Sequence, residues 1–401
     1  MDLQPLYSYG IIGPAFQLCN NLSLQFILLK LLITEENLQT IDLAKALFQR
    51  GIAFCLYRFP GTAKLELAAP GHLFDASSAI DFIIAPFSEN SAYKTEILKK
   101  ITLADWNSKA FEFIYSQPAT PINWGVLPEE KSKQDYLKKI AVYLQAIDQK
   151  KISKAILSRT KTIAKPAHFD PFHFFRKLSD TYPETFCSLY YLPGKGMWAG
   201  ATTELLLNKK NDYYYTMALA GTQPRKTKAA YNWRKKEQEE HRLVQQHIEE
   251  IFKKHRIEQV SLKGPYTIQT GKVAHLRTDY IFRSKKENII LPLIKDLHPT
   301  PAIGGLPVKG SLNLINETEG YDRRYYAGYL GEMQNHESAG LYINLRCMQI
   351  GEKEIALYIG GGISEGSDAE EEWEETNQKS LTLLEIMEAP AQNALKKNEI
   401  I

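Results

Sequence analysis

Short strand-forming runs that alternate irregularly with amphipathic helical segments are the feature that most limits how this chain can fold. A Pro193-Gly194 turn separates two of these runs, 186–191 and 197–199, and therefore predicts an antiparallel hairpin. The order of runs and helices is not the regular alternation that builds a parallel sheet. We therefore predict the α+β class, with antiparallel sheets flanked by helices. The other runs that we assign to strands are 53–58, 154–159, 204–207, 342–348 and 355–359.

The chain is predicted to form a single large domain. Its 401 residues exceed the usual size of one domain, so two domains are the first expectation. However, the sequence contains no internal repeat with a period of about 20–50 residues. It also contains no long Pro/Gly/Ser linker at which two domains would separate.

Composition excludes several classes of protein. With 49 basic and 46 acidic residues, the net charge of +3 is too small to favour nucleic acid as a partner. The apolar segment 22–33 is about a dozen residues long and is interrupted by Gln25 and Lys30, so we expect no membrane partner. The cysteines form no CxxC pair for zinc or redox chemistry and indicate a cytoplasmic protein with reduced thiols. They are Cys19, Cys55, Cys187 and Cys347.

Two predicted helices, 235–254 and 367–389, place carboxylates in line with their apolar faces. Glu240 precedes the apolar stripe of the first helix, and Glu372 and Glu375 precede that of the second. A carboxylate on such a face is costly unless it is paired or binds a metal. One interpretation is that these carboxylates meet the helix dipole near the surface. The other is that they converge on Mg²⁺, which prefers oxygen ligands.

Lys154 and Glu204 lie on strand faces with apolar neighbours. Period-two alternation puts Lys154 on the face of Ile152 and Ile156. Such a lysine often extends its ammonium to solvent, but a desolvated lysine can instead act as a general base. Glu204 leaves the same choice open, and together the two residues would form a general base and a general acid.

A glycine-rich stretch and an arginine are candidates for binding an anion. Residues 359–364 read Ile-Gly-Gly-Gly-Ile-Ser between a strand and the capping-box pattern that begins at Ser367. Their backbone amides could hold an anion, although the pattern is neither GxGxxG nor a P-loop. Arg346, near the predicted end of its strand, is suited to carboxylate recognition but could equally be a surface residue.

Eight motifs in sequence order resemble those of the chorismate-binding enzyme family. The resemblance covers roughly residues 120–390 and is weak over the first ~110 residues. It implies a variable N-terminal part, 1–115, and a catalytic region, 116–401, of one domain with the fold of anthranilate synthase component I. The motifs are Lys154-Ala-Ile-Leu-Ser-Arg159, Gly200-Ala-Thr-Thr-Glu204, Leu219-Ala-Gly-Thr222, Lys236-Glu-Gln-Glu-Glu-His241, Val273-Ala-His-Leu276, Leu297-His-Pro-Thr-Pro-Ala302, Asp322-Arg-Arg-Tyr-Tyr-Ala-Gly328 and Glu372-Trp-Glu-Glu-Thr-Asn-Gln-Lys379.

The resemblance implies a reaction and a role for each matching residue. Mg²⁺ would hold the ring carboxylate of chorismate through Glu240 and Glu375, with Glu372 in direct or water-mediated contact. Lys154 would activate water for attack at ring C2, and Glu204 would protonate the departing C4 hydroxyl. The residues that match the family's substrate-binding positions are Thr222, His275, His298, Ala302, Tyr326, Arg346, Gly361, Gly362 and Lys379.

The motifs most resemble the isochorismate synthase branch of this family. Residues 218–222 read Ala-Leu-Ala-Gly-Thr and lack the nucleophilic lysine of aminodeoxychorismate synthases, and 298–302 read His-Pro-Thr-Pro-Ala. Anthranilate and salicylate synthases resemble one another in a different sequence at the latter position. Two residues depart from the family pattern, since Thr203 stands in place of a proline and Glu237 in place of an aspartate.

We expect chorismate as the only partner, with no amidotransferase subunit and a monomeric chain. The product isochorismate serves menaquinone, siderophore and salicylate routes, and nothing in one chain chooses between them. One alternative is a lyase that releases pyruvate, as anthranilate and salicylate synthases do. Another, from a different class, is a non-catalytic module that binds anions on the same scaffold.

Overall fold

The computed structural model describes residues 22–74, 78–102, 105, 113–226, 231–258, 260–270, 273–286, 288–335 and 337–388. Cys19 lies outside these residues, and Cys55, Cys187 and Cys347 are buried free thiols. Within the described ranges, no helix is both long enough and apolar enough to cross a membrane.

Antiparallel strands form one large sheet, as the irregular order of strand runs predicts. Along the sheet the strands follow the order β10-β11-β9-β8-β14-β13-β3-β4-β2-β1-β6-β7-β15-β16-β5-β12. They are β1 (Phe54–Arg58), β2 (Glu66–Ala69), β3 (Asp81–Ala85), β4 (Glu96–Ile101), β5 (Lys154–Ala164), β6 (Phe186–Leu192), β7 (Gly196–Thr202), β8 (Leu205–Lys210), β9 (Tyr213–Pro224), β10 (Val260–Thr270), β11 (Val273–Phe282), β12 (Gly305–Leu306), β13 (Tyr329–Gln334), β14 (Ser338–Ile343), β15 (Cys347–Ile350) and β16 (Glu354–Ser364).

Helices cover the sheet and supply several of the predicted site residues. The segment 22–33 belongs to the first of them, and the two helices predicted from carboxylate-bearing stripes are α4 and α7. The helices are α1 (Leu22–Gln49), α2 (Lys133–Asp148), α3 (Pro171–Thr181), α4 (Lys235–His255), α5 (Ile290–Leu297), α6 (Val308–Thr318) and α7 (Ala369–Glu388).

The sheet is buried on both faces because its strands supply two hydrophobic cores in alternation. In β1, Cys55 and Tyr57 enter one core, while Phe54 and Leu56 enter the other. The rings of Phe186 on β6 and Tyr342 on β14 stack with centroids 4.6 Å apart, although the two strands are far apart in the strand order. The sheet therefore curves back on itself around the first core.

Most predicted strands are confirmed, but the run 342–348 is not one strand. The run is interrupted between β14 and β15, which continue in one direction along β8 and β7, and Arg346 lies in the bend between them with a φ of 47°. Buried Asn344 holds this bend by donating hydrogen bonds to Tyr190 Oη and to the carbonyl of Tyr325. The apolar residues on either side conceal the interruption in the sequence.

Two local predictions at the start of α7 are also corrected. The glycine stretch 359–364 does not follow β16 but forms its second half. Ser367 does not cap α7, because the backbone amides of Glu370 and Glu371 donate to Asp368 Oδ1 instead. The side chain of Ser367 donates to Glu372 Oε1 at 2.7 Å.

A buried ion pair between Arg323 and Glu319 fixes β5 next to the segment that precedes β12. The two side chains are 1% and 2% exposed and approach to 2.5 Å. Arg323 also donates to the carbonyls of Ile156 and Ile303, while Glu319 accepts from the backbone amide of Ser158. Each charge is therefore both paired and hydrogen-bonded, which is the condition under which a buried pair is tolerated.

We expect Glu319→Ala to lower the free energy of unfolding by about 3–5 kcal/mol, because it leaves the Arg323 charge buried without a partner. Chemical denaturation followed by tryptophan fluorescence measures the loss. Glu239→Ala is the matched control, since it removes an ion pair with Arg242 whose side chains are half exposed. Equal losses in the two variants would contradict a special role for the buried pair.

Candidate active site

Most of the predicted site residues line one cavity, although they come from strands far apart in the sheet and from two helices. Glu372 and His298 are the exceptions, since neither lines the cavity. Strands β5, β9, β11 and β16 form part of its wall. The β7–β8 connection, the bend at Arg346 and the helices α4 and α7 complete it. The predicted residues that line this central cavity are Lys154, Glu204, Thr222, Glu240, His275, Ala302, Tyr326, Arg346, Gly361, Gly362, Glu375 and Lys379.

Lys154 and Glu204 are both buried and face this central cavity. Lys154 is the first residue of β5 and is 2% exposed, so its ammonium does not extend into bulk solvent. Its backbone carbonyl accepts a hydrogen bond from Ser311 Oγ, which anchors the start of the strand. Glu204 lies between β7 and β8, and its backbone amide donates to Thr202 Oγ1.

The carboxyl group of Glu204 is suited to donate a proton near neutral pH. Burial raises the pKa of Glu204 to about 7, although the Thr300 hydrogen bond and the positive charge of Lys154 act in the opposite direction. Thr300 Oγ1 donates to Glu204 Oε1 at 3.2 Å. Among the described residues no ion pair within 4 Å offsets the burial of Glu204, which is why the neutral acid is favoured.

Arg346 and Lys379 are further basic groups that line the cavity. Lys379 Nζ bonds the carbonyl of Gly360 at 2.9 Å and pairs with Glu375 Oε1 at 2.6 Å. Arg346 Nη1 donates to the backbone carbonyl of Lys379 at 3.2 Å. These contacts hold a guanidinium and an ammonium side by side, an arrangement that suits the carboxylates of a small anionic ligand.

His275 is a neutral hydrogen-bonding group in this cavity. Burial, with the nearby positive charges of Arg346 and Lys379, lowers the pKa of His275 to about 3. Its Nδ1 lies 3.0 Å from the carbonyl of Gly221, which can only accept, so we place the proton on Nδ1. Nε2 is then an acceptor for a ligand hydroxyl.

The glycine stretch in β16 leaves room for these side chains. A Cβ at Gly362 would lie 2.9 Å from Lys154 Cε and 3.3 Å from Glu240 Oε1, and one at Gly360 would lie 2.7 Å from Tyr326 Oη. The pairing of β16 with β15 stops at Tyr358, opposite the first residue of β15, so in the described strands the glycine-rich part of β16 pairs with β5 alone. This part of β16 therefore has an unpaired edge among the described strands, with α7 packed against the strand and Glu240 of α4 beside Gly362.

A cluster of carboxylates and lysines lies at this edge, which we call the edge cluster: Glu240, Glu372, Glu375, Lys236 and Lys379. Lys236 Nζ is 2.5 Å from Glu372 Oε1, and Glu372 is 1% exposed. Burial and the charge of Glu375 raise the pKa of Glu372. For Glu375, burial acts to raise the pKa, but pairing with Lys379 outweighs it and the pKa is lowered.

The donor set of the edge cluster fits a hard divalent cation. Glu372 Oε2 is buried and has no hydrogen-bond partner, which leaves a carboxylate oxygen available to a cation smaller than water. In the present arrangement of the described residues, no three His, Cys, Asp or Glu side chains lie close enough together to bind a metal. The lysines, rather than a ligand geometry, balance the carboxylates here.

The fold also brings to the cavity three residues that the sequence did not predict as site residues. Thr300 bonds the candidate acid, and Tyr182 and Thr185 line the cavity from the segment after α3. Thr300 belongs to the family motif 297–302, so the sequence offered a signal for its role, whereas Tyr182 belongs to none of the eight motifs. His298, which the resemblance assigned to substrate binding, does not line the cavity. Its ring donates from Nε2 to the carbonyl of Ala327 at 2.9 Å.

Comparison with known proteins gives the family of this chain. The family model described as "Chorismate binding enzyme" matches residues 79–388. Isochorismate synthase EntC of Escherichia coli strain K12 is 26% identical over 309 residues, which cover 75% of this chain and 78% of that protein.

Solved structures share the fold. The menaquinone-specific isochorismate synthase MenF from Escherichia coli superposes with a TM-score of 0.69 at 18% identity, over 86% of this chain and 91% of that one. Anthranilate synthase component I from Streptococcus pneumoniae gives a TM-score of 0.56 at 20% identity, over 72% of this chain and 69% of that one. The predicted α+β fold is thereby confirmed.

Glu204→Gln is expected to change how stability depends on pH. With a pKa of about 7 against an ordinary 4.5, folded Glu204 retains a proton that the unfolded chain releases. This contribution to stability is complete below the unfolded pKa and is lost as the pH rises through the folded pKa. The Tm of Glu204→Gln should therefore rise relative to wild type between about pH 5 and pH 8.

Thermal unfolding at constant ionic strength measures this difference. The exposed Glu249→Gln on α4 is the control for loss of a carboxylate. Parallel pH profiles for wild type and Glu204→Gln would show that the carboxyl does not retain its proton.

Proposed function

Because this chain belongs to the chorismate-binding enzyme family, we propose that it is an isochorismate synthase. The proposed reaction adds water at C2 of chorismate and removes the C4 hydroxyl, so that substrate and product are isomers. The observation that carries this proposal is the presence of a buried lysine and a buried, proton-retaining glutamate in one cavity, Lys154 and Glu204.

The two residues supply the two proton transfers. The free-amine form of Lys154 accepts a proton from the water whose oxygen forms the new bond at C2, and this proton must pass back to Glu204 before the next turnover. The ring double bonds shift, the C4–O bond breaks, and Glu204 gives its proton to the leaving oxygen, which departs as water. Burial of both groups excludes competing solvent from the proton transfers.

The remaining polar groups of the cavity would position the substrate. Arg346 and Lys379 would neutralise its carboxylates, and neutral His275 would accept a hydrogen bond from a hydroxyl. Tyr326, which is 4% exposed, would bound the cavity beside them. Ala220 lines the cavity at the position of the family's nucleophilic lysine, so there is no amine at this position for covalent attack.

Mg²⁺ is the proposed cofactor, held by Glu240, Glu372 and Glu375. When bound, the ion would neutralise the ring carboxylate of the substrate. The support on this chain is the set of oxygen donors in the edge cluster and the unpartnered Oε2 of Glu372. We also propose that the chain acts as a monomer without an amidotransferase subunit.

The names of similar proteins favour the isomerase over a pyruvate-releasing lyase. EntC and MenF are both named isochorismate synthases, and MenF gives a higher TM-score and a larger coverage than anthranilate synthase component I. The names of similar proteins include a menaquinone-specific and a vibriobactin-specific isochorismate synthase, so they do not choose the pathway of this chain. His298-Pro-Thr-Pro-Ala302 agrees with the isomerase branch.

Product analysis tests the reaction directly. We expect the purified protein to convert chorismate to isochorismate only when Mg²⁺ is present, with no pyruvate and no effect of ammonia. Chromatography identifies the product, and a coupled assay detects pyruvate. Pyruvate with an aromatic product would assign the chain to the lyases, and absence of turnover would favour the non-catalytic module.

Lys154→Ala should lower kcat by about 10²- to 10⁴-fold, the usual contribution of a general base. Chorismate binding, measured by calorimetry in Mg²⁺, should persist because Arg346 and Lys379 remain. The exposed Lys151→Ala, three residues away, is the matched control and should retain wild-type kcat. Turnover by Lys154→Ala at the wild-type rate would remove Lys154 from the mechanism.

A further inference from the structure

Lys236 lies between α4 and α7, beside the carboxylates of the edge cluster. It lies one helical turn before Glu240 on α4, and its Nζ contacts Glu372 Oε1 on α7 at 2.5 Å. The charges of Glu372, Glu240 and Glu375 all act on this ammonium. Lys236 is therefore the positive group that faces the whole set of proposed metal ligands.

The two lysines of the edge cluster are held in different ways. Lys379 is fixed by two partners, the carbonyl of Gly360 and the carboxylate of Glu375. Lys236 bonds Glu372, retains 23% exposure of its side chain, and carries its charge on a flexible four-carbon stem. To move to solvent, Lys236 must give up one partner, whereas Lys379 must give up two.

Glu372 is only half satisfied by this contact. Its Oε1 accepts from both Lys236 and Ser367, while its buried Oε2 has no partner. A monovalent ammonium at one oxygen thus leaves a buried carboxylate oxygen that a small dication would bind. It also leaves three carboxylates facing two ammonium groups.

We propose that Lys236 is the resident counter-cation of the edge cluster and that Mg²⁺ enters by displacing its ammonium from Glu372. This inference rests on the metal assignment of the proposed function. It explains why the described residues contain no ready set of three metal ligands, because Lys236 holds Glu372 away from such a geometry. Lys236 then stabilises the metal-free chain and competes with the ion.

Replacement of Lys236 separates this role from that of a permanent link between the two helices. Lys236→Met keeps the length of the stem and removes the charge, and Lys235→Met is the control, since Lys235 is exposed on the same helix. The full-length variants are titrated with MgCl₂ by calorimetry. Their Tm is measured in EDTA and in Mg²⁺.

We expect Lys236→Met to have a lower Tm than wild type in EDTA, because buried Glu372 loses its counter-cation. Mg²⁺ should bind this variant about tenfold more tightly than wild type, since no ammonium must be displaced. Saturating Mg²⁺ should then restore most of the lost Tm. Lys235→Met should behave as wild type in both measurements.

An unchanged or weaker Mg²⁺ affinity in Lys236→Met would overturn the inference. Lys236→Arg provides a second test if Lys236→Met does not fold without metal. Its guanidinium can bind Glu372 through two nitrogens, so we expect a Tm in EDTA like that of wild type but weaker Mg²⁺ binding. Equal or tighter binding by Lys236→Arg would also reject displacement.

Parallel turnover assays distinguish this inference from the proposed function. If wild type binds Mg²⁺ and forms isochorismate while Lys236→Met binds the ion no more tightly, only the role of Lys236 fails. If wild type neither binds Mg²⁺ nor converts chorismate, the proposed function fails and the displacement model fails with it.

Discussion

The buried pair of Arg323 and Glu319 is the interaction on which the geometry of the cavity depends. It joins the residue after α6 to two backbone groups of β5 and to the carbonyl of Ile303. Lys154 begins that strand, and Ala302 precedes Ile303 in the cavity wall. Because the pair satisfies backbone groups as well as its own charges, it fixes the position of the wall rather than merely adding stability.

Glycines in β16 convert this fixed wall into a site. A strand with ordinary side chains at 360 and 362 would collide with Tyr326 Oη and Lys154 Cε. Their absence lets Lys154 lie against the backbone of Gly362 and leaves room for Glu240 beside Gly362 and for Glu372 beside Gly361. The cost is a stretch with no side chains of its own to pack, which neighbouring charged groups compensate through contacts such as that from Lys379 to Gly360.

The sequence predicts the residue types of the site better than their partners. Alternation and helical spacing correctly place Lys154 on a buried strand face and Glu372 on a buried helix face, with Glu375 half-buried in the cavity, because both signals are local. The bend at Arg346 is missed because apolar residues continue on both sides of the interruption between β14 and β15. The orientation of His298 and the bond from Thr300 to Glu204 depend on which distant elements meet, and no local pattern records this.

Two glutamates in the same cavity illustrate how the fold assigns different chemistry to one residue type. Burial acts to raise the pKa of both Glu204 and Glu375. Glu375 has an ammonium at 2.6 Å, which more than offsets burial and keeps the carboxylate ionised. In the described part of the chain, the carboxyl of Glu204 has a hydroxyl donor at 3.2 Å and the charge of Lys154, which do not offset burial, so its pKa is raised to about 7. A proton donor and an anionic ligand for a cation can therefore coexist at one pH, because only one of the two carboxylates has a close counter-charge.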